Sequence, residues 1–224
     1  DTMVLRLYED RSALLSGKCF TGLISFDTCV LATGCRERTI YSQMVSGTRP
    51  GGITSGIMTC GTAQKLMNID HQDIGDDIVI LGTGDVGQIV ARQLVQSGKN
   101  VICMIEKAPQ LGGLKRNQEN CIKAYSIPVM LGTELSRISG GGHIDGVYVR
   151  NSVTGDEQFI KCSTLLTAIG MVPETELARE CFGSSWKNCL PDWLILTGNC
   201  DYVHDIVDSV TQDAMKLWQS ARKA

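Results

Sequence analysis

Residues 77–106 constrain the fold of this chain more than any other stretch. Asp77-Ile78-Val79-Ile80-Leu81 is a run of β-branched and aliphatic residues without polar alternation, which predicts a strand buried on both faces. It runs into Gly82-Thr83-Gly84-Asp85-Val86-Gly87, whose three glycines suit a tight turn. Val86, Ile89, Val90, Leu94 and Val95 then recur at helical spacing, and Gly98 stands where a helix end favours a left-handed residue. Val101–Ile105 reads as a second buried strand, ending on Glu106. Strand, turn, helix and strand make a βαβ unit, and such units build parallel sheets.

Each part of that unit has a chemical use. Gly82 lets the chain turn sharply out of the strand, Gly84 lets a diphosphate approach the backbone, and Gly87 lets the helix pack close to the sheet. Thr83, Asp85 and Val86 complete the turn, and the helix start offers unpaired N–H groups and a positive dipole end to the phosphates. Glu106 falls where a carboxylate accepts hydrogen bonds from the adenosine ribose, which favours NAD. Lys107 follows it, with Lys115 and Arg116 near, so NADP is the lesser expectation. The plainer alternative is a similar turn that binds nothing, with Glu106 a solvated strand end.

The rest of the chain divides into short elements. Met3–Leu7 and Ala13–Leu15 read as strands, followed by a Ser-Gly-Lys turn and an apolar run from Ile24 to Thr33. Together they predict a small antiparallel meander feeding a buried strand, Thr28–Thr33. Residues 34–61 are rich in glycine, serine, threonine and proline and read as loop. A short helix over Gly61–Ile69 and a polar hinge over Asp73–Asp77 precede the central unit. After it come a helix around 115–126, a strand at Val129–Leu131, a hairpin over Ile144–Ile160 and an apolar strand Leu165–Gly170. A short acidic helix, a strand Trp193–Thr197 and an amphipathic helix Val207–Ala221 finish the chain.

Composition removes several functions. The formal net charge of −3 gives no electrostatic reason for a nucleic-acid or anionic-membrane partner. No apolar run approaches the length needed to insert in a bilayer, and the N-terminus lacks a secretory layout, so a cytoplasmic protein is expected. Of the ten cysteines no two are three residues apart, which argues against dithiol chemistry and half a zinc site. Most therefore read as structural thiols of a reducing compartment. Tyr125 lacks a lysine four residues on, which disfavours a short-chain dehydrogenase.

Strand ends at Ala32-Thr33-Gly34 and Ala168-Ile169-Gly170, with a late Leu196-Thr197-Gly198-Asn199, add a resemblance. Their order resembles the two-dinucleotide-domain flavoproteins of the pyridine nucleotide-disulfide oxidoreductase superfamily, near its thioredoxin-reductase-like branch. The stretch Ala32–Arg38 and then Gly47-Thr48-Arg49-Pro50 is similar to a narrower group within it. That group holds FAD-dependent oxidoreductases associated with glycerol-3-phosphate dehydrogenase and the α subunits of opine, proline and sarcosine oxidising enzymes.

The resemblance implies an α/β fold: a Rossmann-like three-layer NAD(P)-binding domain with a parallel sheet, plus an incomplete FAD-binding domain with a β-meander. It implies FAD-domain pieces over 1–70 and 174–224, with the NAD(P)-binding domain over 71–173 between them. Gly170 joins the NAD residues, and Ala32, Thr33, Gly34, Gly198 and Asn199 become FAD contacts if FAD is bound. Asn199 replaces the family's usual aspartate. Nothing before Ala32 resembles the family's first FAD-binding glycine motif, so the chain reads as a fragment that binds FAD weakly or not at all. The redox Cys-x-x-Cys of thioredoxin-reductase-like enzymes is also absent. The implied activity is hydride transfer between NAD(P)H and flavin without a redox disulfide. A cofactor-bearing subunit of an amine- or opine-type dehydrogenase and a non-catalytic NAD-binding module stand as alternatives.

No residue is assigned to catalysis and no substrate is identified. Arg36, Arg38 and Arg49 guide an anionic substrate or are solvated loop charges, and the sequence leaves both open. His204-Asp205 opens the last helix near a flavin, or Asp205 simply caps it. Trp186, Trp193 and Trp218 read as packing residues. A half-built FAD domain exposes sheet edges and apolar surface, so self-association (a homodimer, or a partner dehydrogenase subunit) or disorder is expected around residues 1–60.

Overall fold

A computed structural model describes residues 1–40, 55–204 and 206–221. The Gly47–Gly52 motif with Arg49, and Asp205, lie outside the described residues. The chain forms two compact units, Asp1–Arg36 with Met171–Ala224, and Glu37–Gly170. The expected boundary near residue 70 thus falls inside the second unit, because the segment just before it joins that unit's sheet.

The second unit is built on a parallel sheet of five strands. They are β6 (Ile57–Thr59), β7 (Asp77–Leu81), β8 (Asn100–Ile105), β9 (Val129–Met130) and β13 (Thr164–Thr167), in the order β6-β13-β7-β8-β9. Ile57–Thr59 lies in the stretch expected to be loop. It is instead an edge strand, in register with Leu165–Thr167. On β7 the apolar run divides by pleat. Ile78 and Ile80 enter a core with Val90, Ala91, Leu94, Met104 and Leu166, whereas Val79 enters another with Ile105, Leu135, Ile138, Val147 and Leu165.

Two different layers cover those faces. On one, α1 (Cys60–Asn68) and α2 (Asp85–Gln96) pack with a short α-turn and π-turn segment, α3 (Lys115–Asn117) continuing as Gln118–Lys123. Thr59 caps α1, its Oγ1 accepting from Thr62 N at 3.2 Å. Gly98, at φ +80°, ends α2 in a Schellman arrangement: its N–H donates to Val95 O and that of Lys99 to Leu94 O, both at 3.0 Å. The other face is covered by an antiparallel meander of β10 (Thr133–Gly140), β11 (Ile144–Asn151) and β12 (Glu157–Lys161). The expected hairpin is therefore three-stranded, and it forms the third layer of the sandwich.

The first unit contains the expected meander of β1 (Thr2–Tyr8), β2 (Ser12–Gly17) and β3 (Thr21–Ser25), all antiparallel. A parallel pair joins β4 (Cys29–Leu31) to β15 (Leu194–Leu196), and β5 (Cys35–Glu37) pairs with β14 (Met171–Pro173). The helices are α4 (Glu176–Phe182) and α5 (Val207–Ala221). Leu7, Ala13, Leu31, Ala178, Trp186, Leu194 and Cys200 form the core, and the Trp193 ring packs 5.6 Å from Phe26 and 5.8 Å from Phe182. Trp218 is exposed.

The strand expected over Thr28–Thr33 has only three residues, and its Val30 is 48 % exposed. Among the described residues β4 has one strand neighbour, so one edge and part of one face stay open. Met3 and Leu23, each 65 % exposed, add to the apolar surface of this unit. A groove of about 610 Å³ runs beside them, lined by Val4, Leu15, Ile24, Val30 and Leu177 among others. No helix among the described residues is long and apolar enough to cross a membrane.

Candidate dinucleotide site

The glycine turn joins β7 to α2, and its three glycines answer three different constraints. Gly82 sits at φ +100°, and a Cβ there would come within 2.3 Å of Ala168 O. Gly87 lies against the sheet, where a Cβ would stand 2.8 Å from Ala168 Cβ. Gly84 differs: its φ of −64° suits any residue, and a Cβ would meet only Ala168 O at 3.9 Å. The space above Gly84 is open, as close approach of a ligand to the backbone requires.

The amides beyond it are available. Gly82 N donates to Ile105 O at 2.8 Å and Thr83 N to Glu106 Oε2 at 3.1 Å. The N–H groups of Gly84, Asp85, Val86 and Gly87 have no hydrogen-bond partner among the described residues. They are the unsatisfied donors of a helix N-terminus, and an anion satisfies them well.

Thr83 and Glu106 hold the turn in shape. The buried Thr83 hydroxyl donates to Glu106 Oε2 at 2.6 Å and accepts from Gly112 N at 2.9 Å. Glu106 Oε1 accepts from Ala108 N at 2.9 Å, so the carboxylate takes three protein donors and retains capacity for a ligand hydroxyl. Gln88 Nε2 donates to Thr83 O and Gly112 O, and Asp85 Oδ1 accepts from Leu114 N at 2.8 Å and Asn117 Nδ2 at 2.7 Å. Segment 107–117 is thereby pinned beside the turn.

A cavity of about 530 Å³ opens at this place, within the size range of small-molecule sites. Of the sequence-predicted residues, Gly82, Thr83, Gly84, Glu106, Lys107 and Gly170 line it. Asp85, Val86 and Gly87 do not; Asp85 braces the neighbouring segment, Val86 is 41 % exposed and Gly87 packs on Ala168. Arg38, left open in the sequence between guiding an anionic substrate and being a loop charge, lines the cavity, and so do Thr39 and Ile40, which sequence reasoning missed; Arg38 N donates to Gly170 O at 2.9 Å. Sequence reasoning also missed Thr133, Glu134 and Leu135 at the start of β10.

The residues expected near a flavin are placed in the first unit. Ala32 and Thr33 are exposed, and Thr33 Oγ1 donates to Glu174 O at 2.5 Å. Gly34, at φ +76°, has open space at its Cβ position. Gly198, at φ +66°, faces Val210, and Asn199 Oδ1 accepts from His204 N at 3.0 Å. His204 Nε2 stands 2.8 Å from Asp213 Oδ2 on α5. Arg36 pairs with Glu174 at 2.5 Å and Glu176 at 2.7 Å, so it braces this unit. Burial pushes the thiols of Cys60 and Cys162 up to about 12 and that of Cys103 to about 11, which leaves them poor nucleophiles.

Residues 4–190 match the family model described as pyridine nucleotide-disulphide oxidoreductase. The chain is 29 % identical over 124 residues to a thioredoxin reductase of Mycolicibacterium smegmatis, covering 55 % of this chain and 38 % of that protein. It is 26 % identical over 173 residues to an opine oxidase subunit of Rhizobium meliloti, covering 70 % and 31 %. This chain thus corresponds to about a third of the length of these relatives. In structure it is similar to thioredoxin reductase of Lactococcus lactis, with a TM-score of 0.74 at 14 % identity over 99 % of this chain and 73 % of that one. A ferredoxin reductase of Rhodopseudomonas palustris gives 0.62 at 19 % identity over 89 % and 50 %. At such identities these structures speak for the fold.

Proposed function

The chain belongs to the pyridine nucleotide-disulphide oxidoreductase family, and from that premise we propose that its second unit binds NAD beside the glycine turn. The diphosphate lies over Gly84 at the start of α2, and the adenosine ribose donates to Glu106. One observation carries the reading: four unpartnered N–H groups at a helix start, next to a glycine whose missing side chain leaves the backbone open. Bound there, the nicotinamide supplies hydride chemistry, and the chain's own residues supply position and charge.

The whole protein, in this reading, is an FAD-dependent oxidoreductase that exchanges hydride with NAD and uses no redox disulfide. The spacing of the ten cysteines supports the last point. All ten are free thiols, which suits a reducing cytoplasm. The residues present do not fit a complete FAD site, since no strand of the first unit passes directly through a glycine turn into an α-helix among the described residues. FAD binding by this chain is therefore expected to be weak or absent. A second reading, the cofactor-bearing subunit of an opine- or amine-type dehydrogenase, draws support from the opine oxidase alignment over 70 % of this chain.

Fluorescence titration of the 224-residue chain with NADH tests the site. Saturable binding is expected, weakened at least about tenfold by Gly84→Val, which corresponds to about 1.4 kcal/mol. No binding, or affinity untouched by the valine, refutes it.

A further inference from the structure

Two cations line the cavity, Arg38 and Lys107. Lys107 directly follows Glu106 at the end of β8, where a cation accommodates the 2′-phosphate of NADP and a carboxylate takes the 2′-hydroxyl of NAD. Taken alone, a lysine here speaks for NADP. Its surroundings speak against it.

The start of β10 is stitched to the tail of β8. Thr133 N donates to Glu106 O at 2.9 Å and Gly132 N to Ala108 O at 3.0 Å. This brings half-buried Glu134 to the cavity, with Oε2 3.2 Å from Lys107 Nζ. The same rim therefore holds Glu106, Glu134 and one lysine, a formal charge of −1. Arg38 is anchored at another wall of the cavity, its backbone N–H donating to Gly170 O beyond β13, and the ion pair on this rim is the one between Lys107 and Glu134.

We infer that Glu134 is a second residue selecting NAD over NADP, acting by neutralising Lys107 and by adding a carboxylate at the ribose end of the cavity. The inference rests on the dinucleotide reading and goes beyond it by naming what silences the lysine. A 2′-phosphate, carrying about −1.5 to −2 at neutral pH, is repelled by this rim. A 2′-hydroxyl finds acceptors there.

Titrations with NADH and NADPH at low salt test it on the wild-type chain, Glu134→Gln and the double variant Lys107→Gln/Glu134→Gln. Glu134→Gln should raise NADPH affinity about two- to fivefold, the scale of a charge pair with one largely exposed partner. NADH affinity should change less than NADPH affinity, so that the preference for NADH falls, since the substitution removes the charge but keeps the shape and a hydrogen-bonding amide. The gain should vanish in the double variant. In the wild-type chain, added salt should narrow the gap between the two nucleotides, a readout that needs no variant. An NADPH affinity unchanged by Glu134→Gln, or a gap that widens with salt, overturns the inference while NADH binding stands. A wild-type chain that binds neither nucleotide instead removes the dinucleotide reading and this inference with it.

Discussion

Replacing Gly84 and Gly87 by alanine, one at a time, should separate binding from folding. At Gly87 the new methyl carbon would lie 2.8 Å from Ala168 Cβ, 3.1 Å from Gly82 O and 3.3 Å from Met104 Cε. Two of these neighbours belong to the sheet and its turn, so the helix must shift away. Such overpacking costs about 1–3 kcal/mol. Alanine in a helix returns up to about 1 kcal/mol over glycine, though less in a first turn. A net loss of about 1–2 kcal/mol remains. At Gly84 the arithmetic differs. The backbone is already extended, and the nearest atom to the new carbon is 3.9 Å away. The weaker N-cap costs about 0.5–1 kcal/mol, and the stiffer unfolded chain offsets about 0.4–1. Urea unfolding without nucleotide should thus leave Gly84→Ala near the wild type and Gly87→Ala clearly below it. NADH titration should show the converse weakness, with the affinity of Gly84→Ala falling about tenfold, or 1.4 kcal/mol. If Gly84→Ala binds NADH as the wild type does, or is the less stable of the two, the division of labour among these glycines is wrong.

Two further outcomes follow from the ionisable groups. At pH 8 iodoacetamide should label the exposed Cys19 and Cys189 and leave Cys60, Cys103 and Cys162 unmodified in the folded chain, because thiols raised to about 11–12 carry little thiolate; peptide mass spectrometry reads this directly. Asp213 is held below its ordinary 3.8 by Lys216 and then His204, so the stability it lends is present above that value and lost as pH falls through the lower folded value; protection from hydrogen exchange at residues 198–204, corrected for the intrinsic pH dependence of exchange, should fall as pH drops below 3.8.

Much of the central unit was legible because local chemistry and packing agree there. The run Asp77–Leu81 lacks alternation because both of its faces are covered, and Gly98 and Val207–Ala221 sit where cap and amphipathic period place them. The buried face of α2 was less legible. Val86 and Ile89 share the helical spacing of Val90 and Leu94, yet they are 41 % and 36 % exposed while Gly87, Gln88, Val90, Ala91 and Leu94 are buried. Periodicity counts apolar side chains, whereas the close approach of helix to sheet selects for small ones. Strand β10 escaped notice because Thr-Glu-Leu-Ser-Arg-Ile-Ser-Gly carries few apolar residues; with it went Glu134, whose role depends on a contact across 27 residues. Strand β6 is three residues long and is completed only by Leu165–Thr167, far along the chain.

The three protein donors on Glu106 have a practical consequence for redesign. Exchanging that carboxylate for a neutral or basic side chain, the obvious route to altered coenzyme preference, would also release Thr83 and Ala108 and loosen the loop at Gly112. A charge change made on the neighbouring strand leaves this clasp fastened, so selectivity is better re-tuned from the meander than from the acid itself.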